Sequence, residues 1–350
     1  MFSSTSSSDP WRRFFRLTAG AAAIAVGIVY AFVVLVDPFD TLPLSPPFDR
    51  VPVAGNQRFA YPSLARSPRF DSAIFGTSAI RLLRPETLNP LFGARFANLA
   101  MNDATVYEQS RLFGVFVHAH RAPKMVILGL DTRWCATGPQ YERLTFRTFP
   151  EWMYQDNLWQ GYREIFNLYA IQSAGQLFGV LTGFKAPDQG RDGYTSFVPP
   201  DRTYDAARAL VHLRDAGPNI PGGARVGDPA GWEYPAMAAL RDMLAALPRA
   251  TQKALLFVPY NHRLLPEPGS PGALVWDECR RRVIAEAKQA PHTTVADFMR
   301  ISPITSRDDN YWDGVHYRIG VGDRLAEGLA EATHGQTADD YRVLWSDRVD

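Results

Sequence analysis

The sequence predicts a three-layer α/β fold with an N-terminal transmembrane helix and a middle insertion. Three observations support this prediction. An uncharged apolar segment of 20 residues lies near the N-terminus, strand-like and helix-like segments alternate through most of the remaining chain, and a region rich in aromatic residues, Gly and Pro interrupts that alternation. Alternating strands and helices favour a mostly parallel sheet with helices on both faces. The 350 residues are 46% hydrophobic and 21% charged, which is a globular balance.

The apolar segment, residues 17–36, would span roughly 30 Å as a helix, the thickness of a bilayer's hydrocarbon core. Three arginines precede it and two aspartates follow: Arg12, Arg13, Arg16, Asp37 and Asp40. The positive-inside rule therefore places residues 1–16 in the cytoplasm and the following domain in the periplasm of a bacterial inner membrane. A cleaved signal peptide and a twin-arginine signal at "RRFFR" are the alternatives. The segment is longer than a typical signal core and lacks a small-residue cleavage site, so an uncleaved anchor is expected.

Charge and cysteine content bound the function classes. The net charge is +1 and no basic run is present, so nucleic acid is not an expected partner. Two cysteines, Cys135 and Cys279, are too few for a disulfide framework. They could form one bridge in an oxidising compartment, but the sequence does not show whether they meet.

The α/β domain is expected over residues 51–350, after a stiff Pro-rich spacer at 37–50. Apolar runs predict strands at 71–75, 94–100, 124–130, 253–259 and 293–298. The strongest is "KMVILGL" at 124–130, because a continuous Val, Ile and Leu run fits a strand that is buried on both faces. Apolar residues at helical spacing predict helices at 104–120, 232–247, 272–289 and 319–333.

The middle of the chain differs from this pattern. Residues 149–184 are rich in aromatics and are predicted to be helical. Residues 185–231 contain clustered Gly and Pro and are predicted to be loops around a short helix at 203–214. We interpret 135–231 as an insertion or cap within the domain, and a lid over the ligand crevice is its expected role.

The crevice of such a fold lies at the carboxyl ends of the strands. The first strand ends in "IFGTSAIRLL", which places Ser78 on the turn into the next helix, beside backbone N–H groups that suit an oxyanion. Helix capping by Thr77 or Ser78 is the alternative role. Near the C-terminus, Asp313 precedes His316 by three residues, after the last predicted strand.

A serine hydroxyl becomes a good nucleophile only when a base takes its proton, and that base must be oriented by a third group. Ser78, His316 and Asp313 supply these three groups, and all three follow strand ends of one predicted sheet. They are therefore candidate catalytic residues.

At these positions the sequence resembles the SGNH (GDSL-like) hydrolases. The closer similarity is to their membrane-anchored branch, the alginate O-acetylation proteins and related cell-envelope acyl-transfer proteins. The matching stretches are "IFGTSAIR", "FANLAMNDAT" and "DGVHY", together with "VDPFD" and "NQR", and they cover roughly residues 50–135 and 250–335. The resemblance implies a flavodoxin-like sheet, with Ser78 as nucleophile, His316 as base and Asp313 as the orienting group.

In the SGNH hydrolases, the second and third characteristic sequence blocks supply oxyanion donors, and both blocks differ in this sequence. Members of the family carry a glycine in the second block and an asparagine in the third. Here the second block offers Asn98, Asn102 and Asp103, and the third offers Asp131, which donates a hydrogen bond only when protonated. Losing one oxyanion donor typically costs about 3 kcal/mol, or roughly 10²–10³ in rate. Either Asn102 or a backbone N–H substitutes, or the activity is weak or lost.

Other candidates follow from position. His262 comes after the strand at 253–259, so it would either touch substrate or act as an ordinary loop histidine. A metal site made of His262, Asp313 and His316 has no supporting motif, and no metal is expected. Without a phosphate loop or a dinucleotide fingerprint, no cofactor is expected. Three tryptophans could stack on sugar rings, although packing is their more common role: Trp134, Trp152 and Trp159.

The leading hypothesis is a single-pass, periplasm-facing serine acyl-ester enzyme. It would be an O-acetyltransferase or acetylesterase acting on a cell-envelope or exported polysaccharide, with a glycan, an acyl donor and a membrane-bound acyltransferase as partners. This step rests on family analogy. The alternative is a non-catalytic accessory protein that binds glycan or scaffolds a membrane acyltransferase, which the altered oxyanion blocks favour. A soluble lipase released after signal cleavage is a third interpretation.

Overall fold

A six-stranded sheet forms the centre of the protein. The structure is a computed structural model that describes residues 8–138 and 142–347. The strand order is β2-β1-β3-β4-β5-β6, where the strands are β1 (Ser72–Phe75), β2 (Phe96–Asn98), β3 (Met125–Leu130), β4 (Gln252–Phe257), β5 (Thr293–Asp297) and β6 (Arg342–Ser346). The first five strands pair in parallel, and β6 pairs antiparallel with β5. The predicted α/β class with a mostly parallel sheet is confirmed.

Helices cover both faces of this sheet. In the described part of the chain they are α1 (Ser8–Val36), α2 (Gln57–Arg66), α3 (Pro85–Phe92), α4 (Val106–Ala119), α5 (Thr132–Cys135), α6 (Gly161–Glu164), α7 (Leu168–Leu181), α8 (Ala206–Arg214), α9 (Ala236–Ala246), α10 (Pro271–Ala287) and α11 (Ile319–Thr333). Helices α4, α9 and α10 contact one another in one layer, and α3 contacts α11 in the other. Every residue of β3 is buried, as expected for a central parallel strand covered on both faces.

The five predicted strands are present, but α2, α3, the short α5 and β6 were not predicted. Helices α2 and α3 contain internal prolines, Pro62 and Pro90, which usually mark a helix end in sequence reasoning. Strand β6 is only partly buried, so it has no continuous apolar run, and it forms because it pairs with the edge of β5. Its existence depends on long-range pairing rather than on a local pattern.

The middle region lies between α5 and α9, within the connection from β3 to β4. Residues 149–184 contain the expected helical segments, although not as one helix: short 3₁₀ turns and α6 precede α7, the one long helix of this stretch. The insertion packs onto the domain, because Asn98 N donates to Asp192 O (2.7 Å) and Tyr61 Oη donates to Gly193 O (2.9 Å).

Residues 37–50 fold back onto the domain and do not form the extended spacer that their prolines predicted. The Asp37 carboxylate accepts a hydrogen bond from Leu42 N (2.9 Å), and Arg50 Nε donates to Val36 O (2.9 Å). Phe39 is buried with its ring 5.1 Å from that of Phe59 on α2. The end of α1 is therefore fixed to the α/β domain.

Helix α1 is longer than the predicted segment, because residues 8–16 continue it towards the N-terminus. Residues Pro10–Val36 are long and apolar enough to cross a membrane, and their most apolar 18-residue window has a mean hydropathy of 2.5. A signal sequence near an N-terminus passes the same test, so the helix alone does not distinguish an anchor from a signal.

A disulfide joins Cys135, at the end of α5, to Cys279 in α10, with the two Cα atoms 5.4 Å apart. The sequence left this pairing open. The bridge links the start of the insertion to a helix 144 residues later, so it restricts a long loop of the unfolded chain. By the chain-entropy relation this closure stabilises the fold by on the order of 4–5 kcal/mol.

We expect the double variant Cys135→Ser/Cys279→Ser to lose about 2–5 kcal/mol of unfolding free energy, because its unfolded chain regains the conformations that the bridge excludes. Chemical denaturation of the full-length protein in detergent measures this loss. Reduced wild-type protein is the matched control and should unfold at the midpoint of the variant. An oxidised wild type that unfolds at the midpoint of the variant would contradict this account.

Candidate active site

Ser78 lies on a sharp turn immediately after β1. Gly76 has φ +146°, and a Cβ atom there would lie 2.6 Å from Ile80 Cγ2 and 3.2 Å from Gly129 O, so only glycine fits. The helix expected to follow the Ser78 turn directly does not form there. Consecutive tight turns follow instead, one of them closed by Arg81 N donating to Ser78 O (3.3 Å), and α3 begins at Pro85.

The three predicted catalytic residues meet at this turn. His316 Nε2 lies 2.9 Å from Ser78 Oγ, and His316 Nδ1 lies 2.7 Å from Asp313 Oδ2. Asp313 is ionised and accepts hydrogen bonds, so Nδ1 carries the imidazole proton and Nε2 is left as an acceptor for the Ser78 hydroxyl. Ser78 and His316 are half-buried, which leaves them accessible to a substrate.

A tight loop positions Asp313 and His316. Tyr311 and Tyr317 form an antiparallel bridge at its base, and Trp312 N donates to His316 O (2.8 Å). Both tyrosines are buried, which fixes the loop to the core.

Backbone donors hold the Asp313 carboxylate in place. Val315 N and His316 N each donate to Asp313 Oδ1 at 2.8 Å. Burial by itself would raise the pKa of Asp313, but these bonds and the His316 side chain outweigh it and lower the pKa below the usual 3.8. The carboxylate therefore stays charged at neutral pH and can stabilise a protonated His316.

Asn98 is placed for structure rather than for oxyanion binding. It is fully buried at the end of β2, and its Nδ2 donates to Arg81 O and Leu83 O, both at 2.9 Å. Its Oδ1 accepts from Ala100 N (3.2 Å). Since both amide protons are used, Asn98 holds the turn after Ser78 against the sheet.

Asn102 has a free donor beside the nucleophile turn. Its Oδ1 accepts from Arg81 Nη1 (3.1 Å), which fixes the amide orientation because a guanidinium only donates. Within the residues that the structure describes, Asn102 Nδ2 donates to no acceptor. The "NQR" stretch holds the Asn102 backbone, since Gln57 Oε1 accepts from Asn102 N (3.4 Å) and Arg58 Nη1 donates to Asn102 O (3.2 Å).

Asp131 acts as an acceptor. It caps α5 by accepting from Arg133 N (2.9 Å), and it accepts a hydrogen bond from the Thr77 hydroxyl. Burial raises the pKa of its carboxyl group. Asp131 thus positions Thr77, next to the nucleophile. Asp103, the other acidic candidate, pairs with Arg133.

His262 lies at the carboxyl end of β4 but is not joined to the triad. Its Nε2 lies 3.2 Å from Asp308 Oδ1, and Arg263 Nη2 donates to Asp308 Oδ2 (2.9 Å). In the described part of the chain, no three His, Cys, Asp or Glu side chains are grouped to hold a metal ion.

The three candidate tryptophans have different surroundings. Trp134 is fully buried and donates from Nε1 to Gln109 Oε1 (3.0 Å), so it is a core residue. Trp152 is half-buried, and Trp159 is exposed.

Two residues near the triad were missed by sequence reasoning. Phe197, from the insertion, packs edge-on against His316 with ring centroids 5.1 Å apart. Arg81 is buried and lies 5.4 Å from the Phe197 ring centroid. Arg81 lies three residues after Ser78, so its proximity to the nucleophile could have been predicted from the sequence. No local pattern predicts that Phe197 lies near His316. The contact of Phe197 with His316 supports the expected role of the insertion as a cover.

Comparison of the chain with models of protein families and with curated proteins finds no match.

The Asp308 cluster predicts a pH effect. Hydrogen bonding from Arg263, followed by Asn261 and His262, lowers the pKa of Asp308 from 3.8 to about 2. A lowered pKa means that the charged carboxylate stabilises the fold above pH 4, and that this contribution is lost as the pH falls towards 2.

Asp308→Asn should therefore unfold at lower urea than wild type at pH 6, and the two midpoints should converge between pH 4 and pH 2. Asp188→Asn, an exposed aspartate in the insertion, is the control and should differ little from wild type at any pH. A constant difference between Asp308→Asn and wild type across the range would contradict the prediction.

Proposed function

We propose that this protein is a membrane-anchored serine acyl-ester enzyme of the SGNH type, facing the periplasm. It would act as an O-acetyltransferase or acetylesterase on a cell-envelope or exported polysaccharide. The observation that carries the proposal is the hydrogen-bonded series from Ser78 Oγ to His316 (2.9 Å) and on to Asp313 (2.7 Å). A nucleophile, a base and an orienting acid within hydrogen-bond reach are the arrangement that acyl transfer requires.

Two further observations support this assignment. The parallel strands follow the order 2-1-3-4-5, which is the order of flavodoxin-like sheets. The Cys135–Cys279 disulfide suits an oxidising compartment such as the periplasm, and the orientation that the flanking charges of α1 predict agrees with it.

The reaction begins when His316 Nε2 takes the proton of Ser78 Oγ as that oxygen attacks the acyl carbonyl carbon. The new C–O bond gives a tetrahedral oxyanion, and Asp313 stabilises the imidazolium. Collapse of the oxyanion breaks the bond to the leaving group, which receives the proton from His316. A sugar hydroxyl (transfer) or water (hydrolysis) then gives its proton to His316 as its oxygen attacks the carbonyl carbon of the acyl-enzyme. The bond from that carbon to Ser78 Oγ breaks, and His316 returns the proton to Ser78.

The oxyanion needs donors, and two groups near Ser78 have no protein acceptor and are candidates for this role. The Ser78 N–H makes no protein hydrogen bond in the described part of the chain, and the Asn102 Nδ2 is free and oriented by Arg81. We assign these two groups to the oxyanion. They would replace the donors that Asn98 and Asp131, engaged elsewhere, do not provide.

The accessory-protein alternative has one observation in its favour. Two of the candidate oxyanion residues, Asn98 and Asp131, are engaged in structural hydrogen bonds. A scaffold would retain the fold without turnover, and the same experiment tests both functions.

Ser78→Ala should abolish hydrolysis of a small activated acetyl ester and remove the acyl adduct seen in the intact mass, because no other group takes its place as nucleophile. Ser110→Ala, a serine on α4 that bonds to its own helix at Val106 O, is the matched control and should keep full activity. Equal inactivity of wild type and Ser78→Ala, with both proteins folded, would favour the accessory protein.

Asn102→Ala should lower kcat by roughly 10²–10³ with little change in KM, because the lost donor acts mainly in the transition state. Steady-state kinetics on the same ester measures this. Asn157→Ala, which removes an exposed cap in the insertion, is the control and should leave kcat unchanged. If Asn102→Ala matches wild type in kcat, this residue is not an oxyanion donor.

A further inference from the structure

The segment from Leu168 to Phe184, which comprises α7 and the turn after it, contains no charged residue. One side of α7 is buried against the domain. The other side and the following turn expose large apolar side chains, with Leu168 71% exposed, Phe178 47% and Phe184 88%. We call the surface of Leu168, Phe178, Leu181 and Phe184 the α7 face. An exposed apolar patch of this kind marks an interaction surface.

Helix α7 packs against the last turns of α1. The Tyr30 ring meets Phe166 edge-on at 5.6 Å, and Phe32 meets Phe178 at 5.7 Å. Tyr30 Oη also donates to Tyr162 O (2.9 Å). These contacts fix the position of α7 along the axis of α1.

The position of α7 along α1 determines its depth in a bilayer that α1 spans. Tyr30 lies six residues before Val36, which is roughly 9 Å along the helix axis. If residues 17–36 span a hydrocarbon core of about 30 Å, the contacts between α1 and α7 lie below its outer boundary. This step rests on the anchor in the proposed function. A helix satisfies its own backbone hydrogen bonds, so α7 can enter this layer without an unpaired polar backbone.

A groove between α1 and α7 agrees with the same placement. Its volume is about 770 Å³, and apolar side chains line it: Phe32, Leu35, Phe48, Phe178 and Leu181. Lys185 and Arg191 stand at its edge, each paired with an aspartate. Apolar walls beneath charged groups match the change from acyl chains to headgroups at a membrane surface.

We propose that the α7 face is a second membrane-contacting surface, which lies in the outer interfacial layer of the bilayer that α1 spans and contacts lipid acyl chains there. Two membrane contacts, α1 and the α7 face, restrict tilting of the domain relative to the bilayer, which a single helical anchor would allow. Phe197, against His316, follows Phe184 by 13 residues. The insertion thus links the lipid-contacting surface to the cover of the candidate active site, near any membrane-borne acyl donor.

The test uses full-length protein in vesicles of phosphatidylethanolamine and phosphatidylglycerol. An environment-sensitive fluorophore is placed on Phe178→Cys or Phe184→Cys. Its quenching is measured with lipids that carry a nitroxide near the headgroup, and with lipids that carry the nitroxide in the middle of the acyl chain, which reaches the centre of the bilayer. The two native cysteines are bonded to each other, so the label reacts at the introduced thiol. Val226→Cys, at a position 97% exposed, is the water-facing control, and Val26→Cys, in the middle of α1, is the buried-in-lipid control.

The proposal expects most of the emission to be lost at positions 178 and 184, with no loss at 226. If Val26→Cys is quenched but 178 and 184 behave like 226, the α7 proposal is overturned and the anchor stands. If Val26→Cys is not quenched either, both fail. Ester hydrolysis by the same samples reports on catalysis independently, so an inactive triad cannot be mistaken for a failed membrane contact.

Discussion

Parallel strand pairing is the constraint on which the candidate site depends. Because β1, β3, β4 and β5 run in the same direction, the segments that leave their carboxyl ends emerge at one edge of the sheet. Ser78 leaves β1 there, and the loop after β5 brings His316 to the same edge, 238 residues later in the chain. Asp313 and His316 are close in sequence, but they form a candidate triad only because the sheet brings Ser78 to the same edge.

A buried ion pair between α2 and α4 also helps to hold the candidate site in place. Arg58 on α2 donates to both oxygens of Glu108 on α4, and neither side chain is exposed. Such a pair is costly to bury and is stable only when its remaining hydrogen bonds are satisfied. Here Arg58 also bonds Asn102 O, and Glu108 closes the capping box of α4 with Thr105. The pair therefore fixes α2, α4 and the Asn102 turn together.

At this site, two residues within the matching sequence stretches do not have the role that the resemblance suggested. Asn98 and Asp131 were candidate oxyanion residues in the sequence, but both use their polar atoms to brace the nucleophile turn. The available donors are instead the Ser78 N–H and Asn102 Nδ2, with Arg81 setting the amide. Asn98 and Asp131 thus brace the turn, while these two donors have no protein acceptor in the described part of the chain.

The sequence by itself determined the apolar N-terminal helix, the five parallel strands and the Ser78, Asp313 and His316 candidates, because apolar periodicity and the positions of strand ends are local properties. It missed α2 and α3, whose prolines hid them, and β6, which needs a partner strand. Tertiary structure alone decided the pairing of Cys135 with Cys279, the folding back of 37–50 and the contact of Phe197 with His316. Each of these joins segments far apart in the chain, and no local pattern of side chains records such a distance.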